Sequence, residues 1–430
     1  MNPIQHFIKE LRSFLILWAT QAFSALGSSM TSFVLIIWSY QQYGSALQTA
    51  LLSICSYAPY VLMSIFAGAL SDRWNKKITM LVCDSAAAAC TLVVWALFES
   101  GRLEMWHLYT LNALGGLMNT IQQPAADVTV SLLTPEKHYQ KASAMRSFSN
   151  SLVSILTPAL ATALLALANI QTVIAFDLFT FAVASVSLLL FVRIPEVFRE
   201  NGQKESVLRA AKSGLVYLKK NRGILDLILF LAAINFTASV YQAALPAMVL
   251  SRQGGGELAL GIVNAVTGAA MLAGSVIASV LPAPKSRVRV IWGALLLAMS
   301  TENFFLAFGR TVPIWCIGAV LGWVSIPLMN ANMDVLFRSY IPIEMQGRVY
   351  SARNTLQFFT IPIGYLAGGL LVDGVFEPWM AAQPAGSLLS AVFGNGKGTG
   401  AAVLFSLLGM LGVLTCTALR KDPHIWKLEQ

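Results

Sequence analysis

The sequence predicts an all-α membrane protein: twelve transmembrane helices in two pseudo-symmetric six-helix bundles. Three observations predict it. Of 430 residues, 56% are hydrophobic and 11% charged, with a mean hydropathy of +0.66, whereas soluble domains carry about 25% charged residues. A water-soluble globule is excluded. The apolar residues come in long unbroken runs such as 47–70 and 258–281, enough for twelve helices of about 20 residues each. A porin-like barrel would instead need segments of about ten residues alternating apolar and polar. Finally, the two halves resemble each other at a fixed offset of 207 residues, the mark of an internal duplication.

Each predicted helix is an apolar run bounded by charge, Pro or Gly. Helix 1 (13–40) follows Lys9 and Arg12; it continues too far for a secretion signal and has no small-residue cleavage site, so it is read as retained. Helix 2 (47–70) ends at a charged segment, and helix 3 (78–98) begins after Lys76 and Lys77 and ends at Glu99. Helix 4 (106–131) precedes Pro135, helix 5 (143–167) follows Lys141, and helix 6 (170–192) stops at Arg193. In the second half, helix 7 (224–250) lies between Arg222 and Arg252, and helix 8 (258–281) between Glu257 and Pro282. Helix 9 (290–309), helix 10 (312–337), helix 11 (354–374) and helix 12 (400–419) abut Arg310, Arg338, Glu377 and Arg420.

The expected organisation is a bundle over 1–192, a cytoplasmic amphipathic linker over 193–223 and a second bundle over 224–430. Within the linker, Val207, Ala210, Ala211, Gly214, Leu215 and Leu218 form one helical stripe, as in a helix lying along a membrane surface. A solvated linker helix has the same pattern. With both termini cytoplasmic, only Arg102, Arg252, Arg310 and Lys397 of the 29 Lys and Arg residues face outwards, which satisfies the positive-inside rule. The net charge of +9 therefore belongs to inner loops rather than to a nucleic-acid-binding face. The repeat pairs Leu114-Gly115 with Leu321-Gly322, Asp127-Val128 with Asp334-Val335, Pro135 with Pro342, Lys141 with Arg348 and Arg146 with Arg353.

After helix 2 comes Gly68-Ala69-Leu70-Ser71-Asp72-Arg73-Trp74-Asn75-Lys76-Lys77. This segment resembles the G-x-x-x-D-R-x-x-R/K-K loop of the major facilitator superfamily. With twelve helices, a basic central loop and the repeat, the resemblance spans nearly the whole chain. It implies that Gly68, Asp72, Arg73 and Lys76 form a conformational latch with Asp127, low on helix 4 and placed to meet Lys76 or Arg73. The segment Pro342-Ile343-Glu344-Met345-Gln346-Gly347-Arg348-Val349 and the glycine-rich outer segment ending Asn395-Gly396-Lys397-Gly398 resemble the macrolide-efflux and siderophore-exporter branch, among drug:proton antiporters. Helix 5 departs from the antiporter pattern: Ser154-Ile155-Leu156-Thr157-Pro158-Ala159 stands where a glycine-rich G-x-x-x-G-P run is common, and helix 4 has no internal arginine.

The resemblance implies a substrate cavity lined by helices 1, 4, 7 and 10, and those helices carry the polar residues. The expected lining is Gln21, Ser24 and Ser28; Asn112, Asn119 and Gln122; Asn235, Ser239, Tyr241 and Gln242; and Trp323 and Asn330, with Phe358 nearby. Amides in hydrocarbon are costly unless they face water or a partner. No Lys or Arg lies at mid-depth in these helices, and their acids Asp127, Asp226 and Asp334 sit near the inner ends. A neutral, amphipathic cavity is expected, suited to a bulky, partly apolar organic molecule.

Three carboxylates lie at membrane depth on other helices: Asp84, Asp177 and Glu302. Each must be protonated or paired. They are candidates for proton coupling, set against a structural reading as interhelical hydrogen-bond acceptors on peripheral helices. The cysteines Cys55, Cys83, Cys90, Cys316 and Cys416 lack paired spacing, and His6, His107, His138 and His424 lack metal-ligand spacing. No cofactor or metal is expected, and no nucleophile elbow or Walker sequence supports catalysis or ATP use. The expected protein is not an enzyme but a monomeric, multi-pass exporter in the bacterial cytoplasmic membrane, with both termini cytoplasmic, driven by protons and carrying a small-molecule substrate such as a macrolide-like drug or siderophore. Uptake or facilitated diffusion of a metabolite is the alternative within transport; a membrane enzyme or receptor on the same scaffold is the alternative outside it.

Overall fold

The computed structural model describes residues 10–71, 74–135, 138–195, 207–384 and 386–429, and there is no strand among them. The first six long helices are α1 (Arg12–Tyr43), α2 (Ala46–Ser71), α3 (Lys76–Glu99), α4 (Met105–Leu133), α5 (Tyr139–Leu167) and α6 (Ile170–Phe191). A linker helix (Val207–Lys220) precedes α7 (Arg222–Ser251), α8 (Glu257–Val280), α9 (Arg287–Phe308), α10 (Val312–Trp323 and Ile326–Tyr340), α11 (Ile343–Phe358 and Thr360–Leu371) and α12 (Thr399–Lys421). Among the described residues, eleven of these helices are long and apolar enough to cross a membrane. The remaining one, α4, is 29 residues long but is diluted by its amides and Asp127.

Local chemistry sets many helix ends. Asn75 accepts from the Ile78 N–H to start α3, Asn169 from Thr172 to start α6, and Ser286 from Arg289 to start α9. Lys77 donates to the Leu189 and Val192 carbonyls at 2.9 and 2.8 Å, closing the C-terminal turn of α6. Thus part of the basic loop motif works as a helix cap.

The chain gathers into two compact units: Met1–Leu35 with Cys55–Lys204, and Ile36–Ile54 with Glu205–Gln430. In the first, Trp18 Nε1 on α1 donates to the Met145 carbonyl (2.9 Å) and Ser149 Oγ (3.2 Å) on α5. The second has a large apolar core in which Leu218 of the linker helix meets residues of α7, α9, α10, α11 and α12 and Ile425 of the tail. Leu218 and Gly214 are buried as the linker stripe requires, but Leu215 is exposed because it flanks the packed edge of the stripe.

The short stretch 36–54 docks within the second unit. Asp373, in a π-helical turn (Val372–Phe376) continuing α11, accepts from Ser45 Oγ at 2.6 Å and from the Ala46 and Leu47 N–H groups at 3.0 and 2.9 Å. A carboxylate of α11 therefore caps α2. Tyr40 and Ser251 hydroxyls lie 2.5 Å apart, and Gln41 donates to Glu257.

Two predicted helices differ from the observed ones. Helix 10 is not continuous: it breaks at Val324 and Ser325, because Pro327 lacks the N–H that would bond the Trp323 carbonyl. Ser325 Oγ turns to the Ala294 carbonyl of α9 at 3.0 Å. Helix 11 begins eleven residues earlier than predicted, at Ile343, so the segment read as an inter-helix loop is its first turns. Hydropathy detects the apolar middle of a helix, whereas the polar turns after Pro342 remain helical without contributing to that signal.

Candidate substrate cavities and buried carboxylates

The first unit contains a cavity of about 520 Å³, within the range of drug-sized sites. All six residues expected from helices 1 and 4 line it: Gln21, Ser24, Ser28, Asn112, Asn119 and Gln122. Spacings of three and four place them on one face of each helix. The cavity also takes in Trp18, Arg146 and two of the membrane-depth acids, Asp84 and Asp177. The expectation of a neutral cavity is therefore corrected: side chains from α3 and α6, read as peripheral, reach into it.

Both oxygens of Asp84 are bonded, Oδ2 by Gln21 Nε2 at 3.1 Å from α1 and Oδ1 by Gln122 Nε2 at 2.6 Å from α4. Asp177 is 4% exposed and accepts from Ser28 Oγ at 2.9 Å and Thr91 Oγ1 at 3.5 Å. It sits where α6 presses on α1. A Cβ at Gly27 would lie 2.9 Å from Asp177 Cα and closer still to Thr180, so that contact requires glycine.

The second unit holds a smaller cavity of about 200 Å³. Asn235, Tyr241, Trp323 and Asn330 line it, and so does Glu302. Ser239, Gln242 and Phe358 are not among its lining residues. Asn235, Ala238 and Tyr241 form the stripe of α7 that faces the cavity, and Ser239 and Gln242 are one position further round the helix. Ser239 Oγ bonds the Asn235 carbonyl of its own helix at 2.7 Å.

Glu302 is 5% exposed, and its Oε1 accepts from Tyr241 Oη at 2.5 Å and Trp323 Nε1 at 2.6 Å. A carboxylate on α9 thus ties α7 to α10. Space for it depends on Gly322, where a Cβ would stand 2.6 Å from both Glu302 Cβ and Oε2. No single-sequence signal marks Gly27 or Gly322 for these roles, since many helical glycines are only packing sites.

Of the latch residues, Asp72 and Arg73 lie outside the described residues, and Gly68 is in the last turns of α2. Asp127 pairs with Arg146 Nη2 at 2.6 Å and also accepts from Gln123; the expected partner Arg73 lies outside the described residues. Lys76 donates to the Trp74 carbonyl. In the second unit Asp334 and Arg353 lie 3.9 Å apart. These are the same two positions shifted by 207, so the repeat seen in sequence is an ion pair built twice between a fourth and a fifth helix of each half. The repeat carries the signal, but sequence alone does not say which of its members pair. His424, read as a tail residue, comes within 3.3 Å of Asp226 and 3.6 Å of Asp422.

Repeated helical halves with polar cavities at membrane depth define a multi-pass membrane transporter acting on a small molecule. The Major Facilitator Superfamily model matches residues 17–365, and the chain belongs to that superfamily. It is 23% identical to Macrolide efflux protein A of Streptococcus pyogenes over 366 residues, covering 84% of this chain and 90% of that protein. To Macrolide efflux protein A of Enterococcus faecalis it is 23% identical over 325 residues, covering 75% of this chain and 99% of the other. Among solved structures, a variant of the nucleoside transporter NupG superposes with a TM-score of 0.73 at 10% identity, over 96% of this chain and all (100%) of that one. A D-xylose-proton symporter superposes with a TM-score of 0.66 at 12% identity, over 95% of this chain and 97% of the other. At those identities the structures establish the fold alone.

Proposed function

We propose that the protein exports a bulky, amphipathic organic compound, macrolide-like or siderophore-like, by alternating access coupled to protons. The observation that carries this reading is the 520 Å³ cavity of the first unit, lined by amides and hydroxyls of α1 and α4. The 23% identity to Macrolide efflux protein A over most of both chains supports the cargo type. The protein works as a monomer in a bacterial cytoplasmic membrane, and the distribution of Lys and Arg favours both termini inside. The loop with Gly68, Asp72, Arg73 and Lys76 and the ion-paired Asp127 together act as the inner latch, and cargo moves between two alternately accessible states.

The coupling proton binds one of Asp84, Asp177 and Glu302. Each is held by neutral donors at membrane depth, where an ionisable group is costly and for that reason marks a functional position. Replacing that acid by its amide abolishes proton-driven movement. If Asp84→Asn, Asp177→Asn and Glu302→Gln all retain it, the proton role fails.

Uptake is the second reading, favoured by the absence of the antiporter glycine run at Ser154–Ala159 in α5. Accumulation of labelled erythromycin in intact cells separates the two. Export predicts that cells producing the protein hold less label than control cells and gain it when the gradient is collapsed; higher accumulation in producing cells contradicts export.

A further inference from the structure

Asp84 and Asp177 give the cavity of the first unit two acidic groups, and among the described residues no side chain of opposite charge pairs with them. Among the described residues the only Lys or Arg lining it is Arg146, which is engaged by Asp127 at 2.6 Å. The donors to the two acids are amides and hydroxyls. Such dipoles stabilise a carboxylate without neutralising it, and in a medium of low dielectric an uncompensated charge attracts any mobile cation that fits.

The two acids differ in what can reach them. Asp177 is 4% exposed, packed against Gly27 and bonded by Ser28 and Thr91, so little of it is open to a ligand. Asp84 is only half-buried, and its partners Gln21 and Gln122 themselves line the open cavity. Trp18 lines the same cavity, held by its bonds to α5, and offers an aromatic surface of the kind that attracts organic cations. Resting on the reading of this cavity as the cargo site, we propose that its cargo is an organic cation, a protonated amine or quaternary centre on an amphipathic body, with Asp84 as its charge partner. Of the two cargo types above, the basic, drug-like one fits this cavity and an anionic catecholate is repelled.

Two probes of nearly the same shape and opposite charge test this, tetraphenylphosphonium and tetraphenylborate, with neutral triphenylphosphine oxide as the third. Binding to the purified full-length protein is followed by equilibrium dialysis. The expected result is binding of the phosphonium with little binding of the borate. Affinity for the phosphonium falls roughly tenfold or more in Asp84→Asn, the loss of about one charge contact, and recovers in Asp84→Glu. Equal binding of all three probes, or preference for the borate, overturns the cation inference on wild-type protein alone, whether or not the variants fold. In that case Ser24→Trp, which fills the cavity, still lowers binding if the cavity is the cargo site. Binding indifferent to Ser24→Trp, or no binding of any probe, sinks both the inference and the cargo site on which it rests.

Discussion

At the scale of single residues, two of the three membrane-depth acids, Asp177 and Glu302, are each matched by a glycine that no hydropathy pattern singles out. Gly322 leaves the space that Glu302 occupies between Tyr241 and Trp323. Gly322→Ala forces a methyl group into that space and is expected to destabilise the protein by about 1–3 kcal/mol, as overpacking does. Thermal unfolding in detergent measures it, and a melting temperature equal to wild type would contradict the geometry. Glu302→Leu is a complementary test, since it strands two buried donors at about 1–3 kcal/mol each, while Glu302→Gln preserves an acceptor and costs less. The acids themselves were legible in sequence as expensive groups in apolar runs. Their partners were not, because Gln21 and Gln122 meet Asp84 only through tertiary packing of three helices. For the same reason the cavity read as neutral: composition along α1 and α4 says nothing of what α3 and α6 push between them.

Among the helices, boundaries fixed by capping chemistry were the least visible and are the easiest to test. Asp373 caps α2 from another helix with three hydrogen bonds, a contact separated by some three hundred residues. Asp373→Ala removes both acceptor oxygens, and with them all three hydrogen bonds, and is expected to cost about 1–2 kcal/mol. Asp373→Asn, which keeps one acceptor oxygen, costs less. Equal unfolding temperatures for both variants and wild type would refute the cap. Lys77→Met tests the closing of α6, where two carbonyls lose their cationic donor, at an expected cost of about 0.3–1 kcal/mol. Apolar run length placed all twelve helices within a few residues at most ends. It missed the break of α10 at Pro327 and the polar start of α11, since neither alters mean hydropathy over a window of twenty residues.

In the whole molecule the duplication is the strongest organising fact, and the paired Asp127–Arg146 and Asp334–Arg353 contacts are its clearest chemical trace. Reversing the first pair tests whether it works as a pair. Asp127→Arg and Arg146→Asp each place like charges together and reduce transport, and the double variant restores much of it; a double variant no better than its parents shows that the residues act separately. The central claim concerns proton-driven export of an amphipathic compound. Its most direct measurement uses proteoliposomes containing the full-length protein, with an imposed pH gradient and a panel of macrolides, cationic dyes and catecholates, and Asp72→Asn as the impaired control. The account predicts gradient-dependent movement of the basic, amphipathic compounds, abolished when the gradient is collapsed and weakened in the control. Movement of those compounds that ignores the gradient, or no movement despite measurable binding, would contradict it.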